Sequence, residues 1–325
     1  MSLFEHDKLP TTSGEALIEY SDRYLAAQLA EIPPAWVDEF GDAAPLNSPM
    51  ATFPLSAMSG KFRETEGDGV VETMGEEKLD LKVVEYDMGY EAKLIDLLMQ
   101  VFAYRSWKQS AEYSQIAEQN HRADSIATLL EAGETTTIWN GGYFFRTDHP
   151  ANTKKPHLGT SSNYQATPKD CNSIANIIAE RTAMRLVKDA NGKKLNVNPD
   201  AILLPTEKFE LVDGLIRQAQ VSVASGTGVP GGGTGTMTNP LAGLRAVHVP
   251  TLTDPDDWYL VDSELVKRMP PWLCARWSPG LALELRQWDE NSDFFRNTGK
   301  LKNSAHIWYA FALAFWQAIR KIKGA

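Results

Sequence analysis

Residues 307–316, IWYAFALAFW, form the longest apolar run in the chain. Tyr309, Phe311, Leu313 and Phe315 alternate with Ala310, Ala312 and Ala314. A period of two predicts a strand with one bulky and one small face. A terminal helix over 308–321 is the competing reading. Ten residues are about half of the roughly 20 needed to cross a bilayer, so no membrane span is expected. The N-terminal stretch MSLFEHDKLP sets acids beside its single Lys and has no apolar segment of the kind that marks a secretory signal. The reading is a chain that stays in the cytoplasm where it is made.

With 325 residues, 43% hydrophobic and 23% charged, the chain can bury a full core in two domains or one large elaborated one. Cys171 and Cys274 are its only cysteines, which excludes a disulfide framework and a four-thiolate zinc site. The net charge of -10 is concentrated at the front: residues 1–100 hold 7 basic and 20 acidic side chains, leaving 25 basic and 22 acidic for the rest. A near-neutral body joined to an acidic front suggests that the front lies over a surface of complementary sign. A sequence-reading nucleic-acid binder would show a concentrated basic patch instead.

The front segment predicts one helix from Glu15 to about Ala30, opened by a Thr12-x-x-Glu15 capping box. From Pro33 to Pro54 five prolines forbid continuous helix, and so little apolar surface needs a partner to lie on. Residues 59–90 read as a long charged hairpin, with a strand near Lys61 to Glu66, a GDG turn and a returning strand through Leu79, Leu81 and Val83. A ribbon this polar is marginal alone. It is either a surface loop or a docking arm.

Helix follows. Ile95, Leu98 and Phe102 space as a short face, and a second segment from about Trp107 carries Tyr113, Ile116, Ala123, Ala127 and Leu130 until Gly133 stops it at C′. Thr167-Pro168-x-Asp170 predicts another helix start, with Cys171, Ile174, Ile178 and Leu186 as its buried face. Ala201 to Leu204 reads as a buried strand, Glu207 to Ala219 as a helix with Phe209, Val212 and Ile216 inward, and Arg245 to Pro250, Trp258 to Asp262 and Leu281 to Trp288 as further strands.

Several stretches look like chemistry. Gly226-x-Gly228-x-x-Gly231 matches a dinucleotide fingerprint, but GGTGTMTNPLAG behind it cannot open a helix to hold a pyrophosphate, and there is no Lys for a phosphate loop. A surface loop is expected. In WNGGYFFRTDHP, residues 139–150, Asp148 and His149 are adjacent, so a strand sends them to opposite faces and a turn makes them diverge. The six histidines never fall in HxH or HExxH spacing. There is no GxSxG elbow, Cys171 sits on an apolar face, and TDPDDW reads as a turn. A metal-dependent hydrolase built from Asp148, His149 and His157 is kept as a remote alternative. No catalytic, cofactor or metal residue is assigned.

The order of segments is informative, as are RADSIATLLEAG, WNGGYFFRTDHP with LGTSSNYQ behind it, ILLPTEKFELVDGLIRQA and NPLAGLRAVHVPTL with WYLVDS. Through these the chain resembles the major head subunit family of Mu-like phages, of the Hong Kong 97-type capsid fold, from about Phe53 to Phe315. The resemblance implies an α+β fold: an N-terminal arm with one helix (1–55), an extended E-loop hairpin (56–92), a P-domain with a long spine helix (93–138), an A-domain with a Gly-rich loop at 225–236 (139–262), and strands returning to both (263–325). It implies a subunit that assembles in the host cytoplasm as hexamers and pentamers into an icosahedral shell around double-stranded DNA, with portal and scaffolding or decoration partners and no cofactor. The front would lie over neighbouring subunits through Lys61, Arg63, Glu64, Glu66, Glu76, Glu77, Lys78 and Lys82, and Lys154, Lys155, Arg181, Arg185, Lys193 and Lys194 could supply opposite charge. An encapsulin-like nanocompartment shell shares the fold and is the alternative.

Overall fold

The computed structural model describes residues 36–42, 45–46, 50–54, 78–99, 101–152, 156–223, 235–277, 284–288 and 292–325. In chain order, α1 (Trp36–Glu39), β1 (Pro45–Leu46), β2 (Met50–Pro54), β3 (Lys78–Lys82) and β4 (Val84–Lys93) lead into α2 (Leu94–Met99) and the 31-residue α3 (Val101–Glu131). Then come β5 (His149–Pro150), β6 (Thr160–Ser161), β7 (Tyr164–Gln165), α4 (Ile174–Met184), β8 (Ala201–Leu204), α5 (Thr206–Arg217), β9 (Gln220–Val223) and β10 (Gly235–Thr238). β11 (Arg245–His248), β12 (Trp258–Val261), α6 (Ser263–Val266), β13 (Trp272–Trp277), β14 (Glu284–Trp288), α7 (Asp293–Thr298), β15 (Lys300–Leu313) and β16 (Ile319–Ile322) complete the chain.

Two sheets share the C-terminal strands. In the first, β15 pairs with β4 on one side and with β13 and β14 on the other, all antiparallel, and β1 runs parallel to the end of β13. The apolar run is therefore strand and not helix, and its faces have different partners. Tyr309 donates to Glu118 of α3, and Phe311 packs 5.8 Å from the His121 ring of the same helix. Ala310 and Ala314 instead cluster with Leu81, Leu273 and Ala275, joined by Leu79 and Val83. Small side chains let a ribbon lie close on one face while bulky ones fill the gap beneath a helix on the other.

The second sheet runs β11-β8-β12-β16-β7. Every residue of β8, β12 and β16 is buried. The final strand thus lies inside the sheet, carrying Arg320 and Lys321 into it on opposite faces. Arg320 Nε donates to Glu180 of α4 at 2.8 Å, and Glu180 also takes Lys169. Lys321 meets Glu134 at 2.6 Å and Asp257 at 2.9 Å. Buried charge survives because each cation has its own carboxylate partners.

Several expectations need correcting. α3 starts well before Trp107, and Leu97 of α2 is buried, packed on Leu301, while Ile95 is exposed. Tyr113 and Ile116 are exposed; Ala123, Ile126, Ala127 and Leu130 form the buried stripe. Gly133 is not a left-handed cap. It lies in a 3-10 turn where a Cβ would stand 2.6 Å from the Phe145 ring, so close packing is what requires it. The Thr167-Pro168-x-Asp170 segment is loop, and Ser173 caps α4 instead, accepting from Asn176 N. The buried face of α4 is Ile177, Glu180 and Met184, with Ile178 and Leu186 exposed. A buried glutamate in the stripe hid the register from an apolar-pattern reading.

The hairpin differs too. β3 pairs with β2, Met50↔Lys82 through Pro54↔Lys78, a stretch expected to be irregular. The expected strand near Lys61 and the helix from Glu15 lie outside the described residues. The Gly-rich loop also lies outside them, but the strands on either side, β9 and β10, pair antiparallel. A strand after the glycines leaves no helix N-terminus for a dinucleotide.

Candidate assembly interface

The corner that resembles a catalytic site is built as a clamp. Gly141, at φ +76°, makes the tight turn in which Gly141 N donates to Ile138 O and Ile138 N to Gly142 O, both at 2.9 Å. The turn delivers Phe144 and Phe145 to the core and His149 to a fully buried position. The His149 ring stacks on Trp316 with centroids 4.0 Å apart and planes 4° from parallel. Its Nε2 lies 3.0 Å from both Phe144 O and Asn163 Oδ1. Asn163 in turn donates to Phe144 O and Trp316 O and accepts from Arg146 N, and Trp139 Nε1 donates to Ala314 O at 2.7 Å. Three residues of this region therefore grip residues 314–316, the crossover by which β15 leaves one sheet and β16 enters the other.

This geometry leaves nothing poised for chemistry. Burial pushes the His149 imidazole down to about 4, which makes it a weak base, and its Nε2 is already engaged by Phe144 O and Asn163 Oδ1. Asp148 points outward, paired with Arg146 Nε at 2.7 Å, and His157 is exposed in the 3-10 turn Pro156–Leu158. The structure does not bring Asp148, His149 and His157 together. Among the described residues no group of three or more His, Cys, Asp or Glu is placed to hold a metal. Burial pushes Cys171 up to about 11 and Cys274 up to about 12, which keeps both thiols protonated. In TDPDDW, Asp254 Oδ1 accepts from the backbone of Asp256 and Asp257, the expected turn chemistry. No described helix is long and apolar enough to cross a membrane.

The front of the chain combines residues fixed to its own subunit with exposed ones. α1 is fixed to its own subunit: Val37 and Phe40 are buried, Trp272 Nε1 donates to Val37 O at 3.0 Å, Trp36 meets Trp272 edge-on, and Asp38 and Glu39 pair with Arg122 and Arg245. The root of the front segment thus finds its partner within the chain. From there β2 and β3 form a ribbon whose Leu81 is buried, whereas Lys78 and Lys82 are exposed. Of the predicted contact residues only these two are described. Lys61, Arg63, Glu64, Glu66, Glu76 and Glu77 lie outside the described residues.

Beside the ribbon, β4 pairs with β15 along one edge. Among the described residues its ten-residue outer edge has no strand partner, an arrangement open to strand addition. Between β4 and α3 lies a cavity of about 440 Å³, lined by Tyr86, Met88, Ala117 and Ile307 with acidic Glu85, Asp87 and Glu118. Ile95 and Met99 of α2 and Tyr113 and Ile116 of α3 expose large apolar side chains. Sequence reasoning missed Arg122, which pairs with Glu118 at i,i+4 on the spine and with Asp38 of the arm 84 residues away; the first pair has the spacing of a helix-face ion pair, and the second has no short-range signature.

Comparison with known proteins agrees with this architecture. Residues 116–322 match the family model of phage capsid protein, and residues 47–172 match that of the Mu-like prophage major head subunit gpT. No curated protein sequence matches the chain. Among solved structures, the procapsid of bacteriophage JBD30 is similar at a TM-score of 0.53 and 15% identity, covering 96% of this chain and 75% of that one. The capsid of cyanophage P-SCSP1u gives 0.53 at 10% identity over 91% of both chains, and the capsid of the native GTA particle 0.51 at 12% over 90% and 92%. At such identities the likeness establishes the fold, while the sequence match over well over half of the chain establishes the family. The chain belongs to the phage capsid protein family and is a major capsid protein of the Hong Kong 97-like fold.

Proposed function

We propose that this chain closes, as hexamers and pentamers, into the icosahedral shell of a phage head around packaged double-stranded DNA. It acts as a building unit and not as an enzyme, assembling in the host cytoplasm with portal and scaffolding or decoration proteins. The division into arm, E-loop hairpin, P-domain and A-domain is part of the same reading.

The observation that carries it is the contrast in burial along the chain: β8, β12 and β16 are buried at every position, whereas the ribbon of β2 and β3 buries Leu81 and turns Lys78 and Lys82 outward. Lys61, Arg63, Glu64, Glu66, Glu76, Glu77, Lys78 and Lys82 would meet neighbouring copies, because a ribbon this polar gains little by folding on itself. Many modest contacts repeated by symmetry can sum to a stable shell while each remains weak enough to correct errors. An overall charge of -10 suits an inner wall against which DNA must slide, because tight phosphate binding needs net basic surface. The nanocompartment reading is not favoured, since the similar structures named above are capsids of phages and of the GTA particle.

Sedimentation and negative-stain imaging of the purified full chain test the proposal. Capsomers or closed shells are expected; a monomer that persists under every assembly condition would overturn it.

A further inference from the structure

Residues 181–194, RTAMRLVKDANGKK, carry five bases and one acid in a chain of net charge -10. Arg181 and Arg185 lie one helical turn apart at the end of α4. Asp189 N donates to Lys193 O at 2.7 Å and Leu195 N to Val187 O at 2.9 Å, a ladder that sets Lys188 opposite Lys194. The acid is already engaged, because Asp189 Oδ1 accepts from Asn191 N and Lys193 N. No ion pair among the described residues reaches any of the five bases. Asp200 makes no ion pair with Arg181 but supports its charge from a distance, while accepting from Ser263 N and Oγ.

The bases also press on one another. The Arg181 Nε is buried without a partner, its Nη1 reaches only Pro240 O at 3.5 Å, and burial followed by the Arg185 charge pulls its pKa down. The C-terminus of α4 accounts for a cation at Arg185. It does not account for Lys188, Lys193 and Lys194 in the turn beyond it. A like-charged surface of this kind attracts an external anion.

The chain carries a matching anion. Glu64 to Glu77 holds six acids and no base, between the two strands of the ribbon. We propose, resting on the reading that the hairpin crosses to a neighbour, that the surface from Arg181 to Lys194 receives the acidic segment Glu64 to Glu77 of a second copy. The sequence favours this over nucleic acid: a front of 7 bases and 20 acids on a body of 25 and 22 supplies the polyanion within every subunit, at one segment per surface.

The test uses the full chain and counts shells at about 0.15 M salt, where charges beyond roughly 8 Å are screened and only close pairs report. Lys188→Glu, Lys193→Glu and Lys194→Glu together are expected to lower shell yield about tenfold, as are Glu64→Lys, Glu72→Lys and Glu76→Lys together. Combining the six changes should restore the yield to within about twofold. Absence of shells from the wild-type chain would defeat the capsid reading itself. Wild-type shells with an unaffected lysine variant would overturn this inference alone. So would a variant that forms empty shells normally and loses only retained DNA, which assigns the surface to nucleic acid. A disulfide between Lys193→Cys and Glu72→Cys, with the native cysteines both buried, should join two chains; a link formed only within one chain would refute the crossing.

Discussion

The corner at residues 139–149 and the turn at residues 188–194 both gather polar side chains on loops, and they meet opposite fates. Asn163 is hydrogen-bonded within the chain, and the His149 ring stacks on Trp316 of the crossover at 314–316 while its Nε2 meets Phe144 O and Asn163 Oδ1. Among the described residues no ion pair reaches Lys188, Lys193 or Lys194. The cluster that resembles chemistry is scaffold, and the one that resembles an ordinary turn is where a neighbour is needed. Residue type does not separate the two cases; engagement with the rest of the chain does.

If the inner set truly closes within the subunit, breaking it should cost folding stability. Arg320→Met strips Glu180 of a buried partner, and a loss of about 3–5 kcal/mol is expected in denaturant unfolding. Adding Glu180→Leu should recover much of it. A single variant of near wild-type stability would show that the pair is not held as described.

The corner gives a pH signature. With the His149 pKa at about 4 in the folded chain against an ordinary value of 6.5, the unfolded state binds more protons below pH 6.5. Stability should therefore fall as pH drops through the window from 6.5 to 4, by about 3 kcal/mol in all. His149→Gln should flatten that slope. An unchanged slope in the variant would remove His149 as its source.

The ribbon's root is tested by Leu81→Ala, which should cost about 2–3 kcal/mol if Leu81 packs on Ala310 and Ala314 of its own subunit. A loss seen only in assembled shells would move that contact to a neighbour. Gly133→Ala should cost about 1–2 kcal/mol by pushing on Phe145, the smallest effect of the set.

Legibility followed the same divide. β8 and the helix after it could be read from apolar spacing, and the bulky-and-small alternation of 307–316 pointed to strand, with a terminal helix set aside only by the pairing of β15 with β4 and β13. α4 was misread where Glu180 takes a buried position for Arg320, a partner 140 residues away. The clamp could be recognised as scaffold from the adjacency of Asp148 and His149, but not its stacking on Trp316, which depends on the second sheet closing. Arg181, Arg185, Lys193 and Lys194 stood out by charge, whereas Lys188 joined them only once the ladder was in place.

Hydrogen exchange at residues 55–77, compared between the subunit held dissociated and the closed shell, bears most directly on whether sister copies supply what the front of the chain lacks. Protection rising at least about tenfold on assembly is the predicted result. Equal protection in both states would mean that the subunit orders this segment by itself, and would contradict the account.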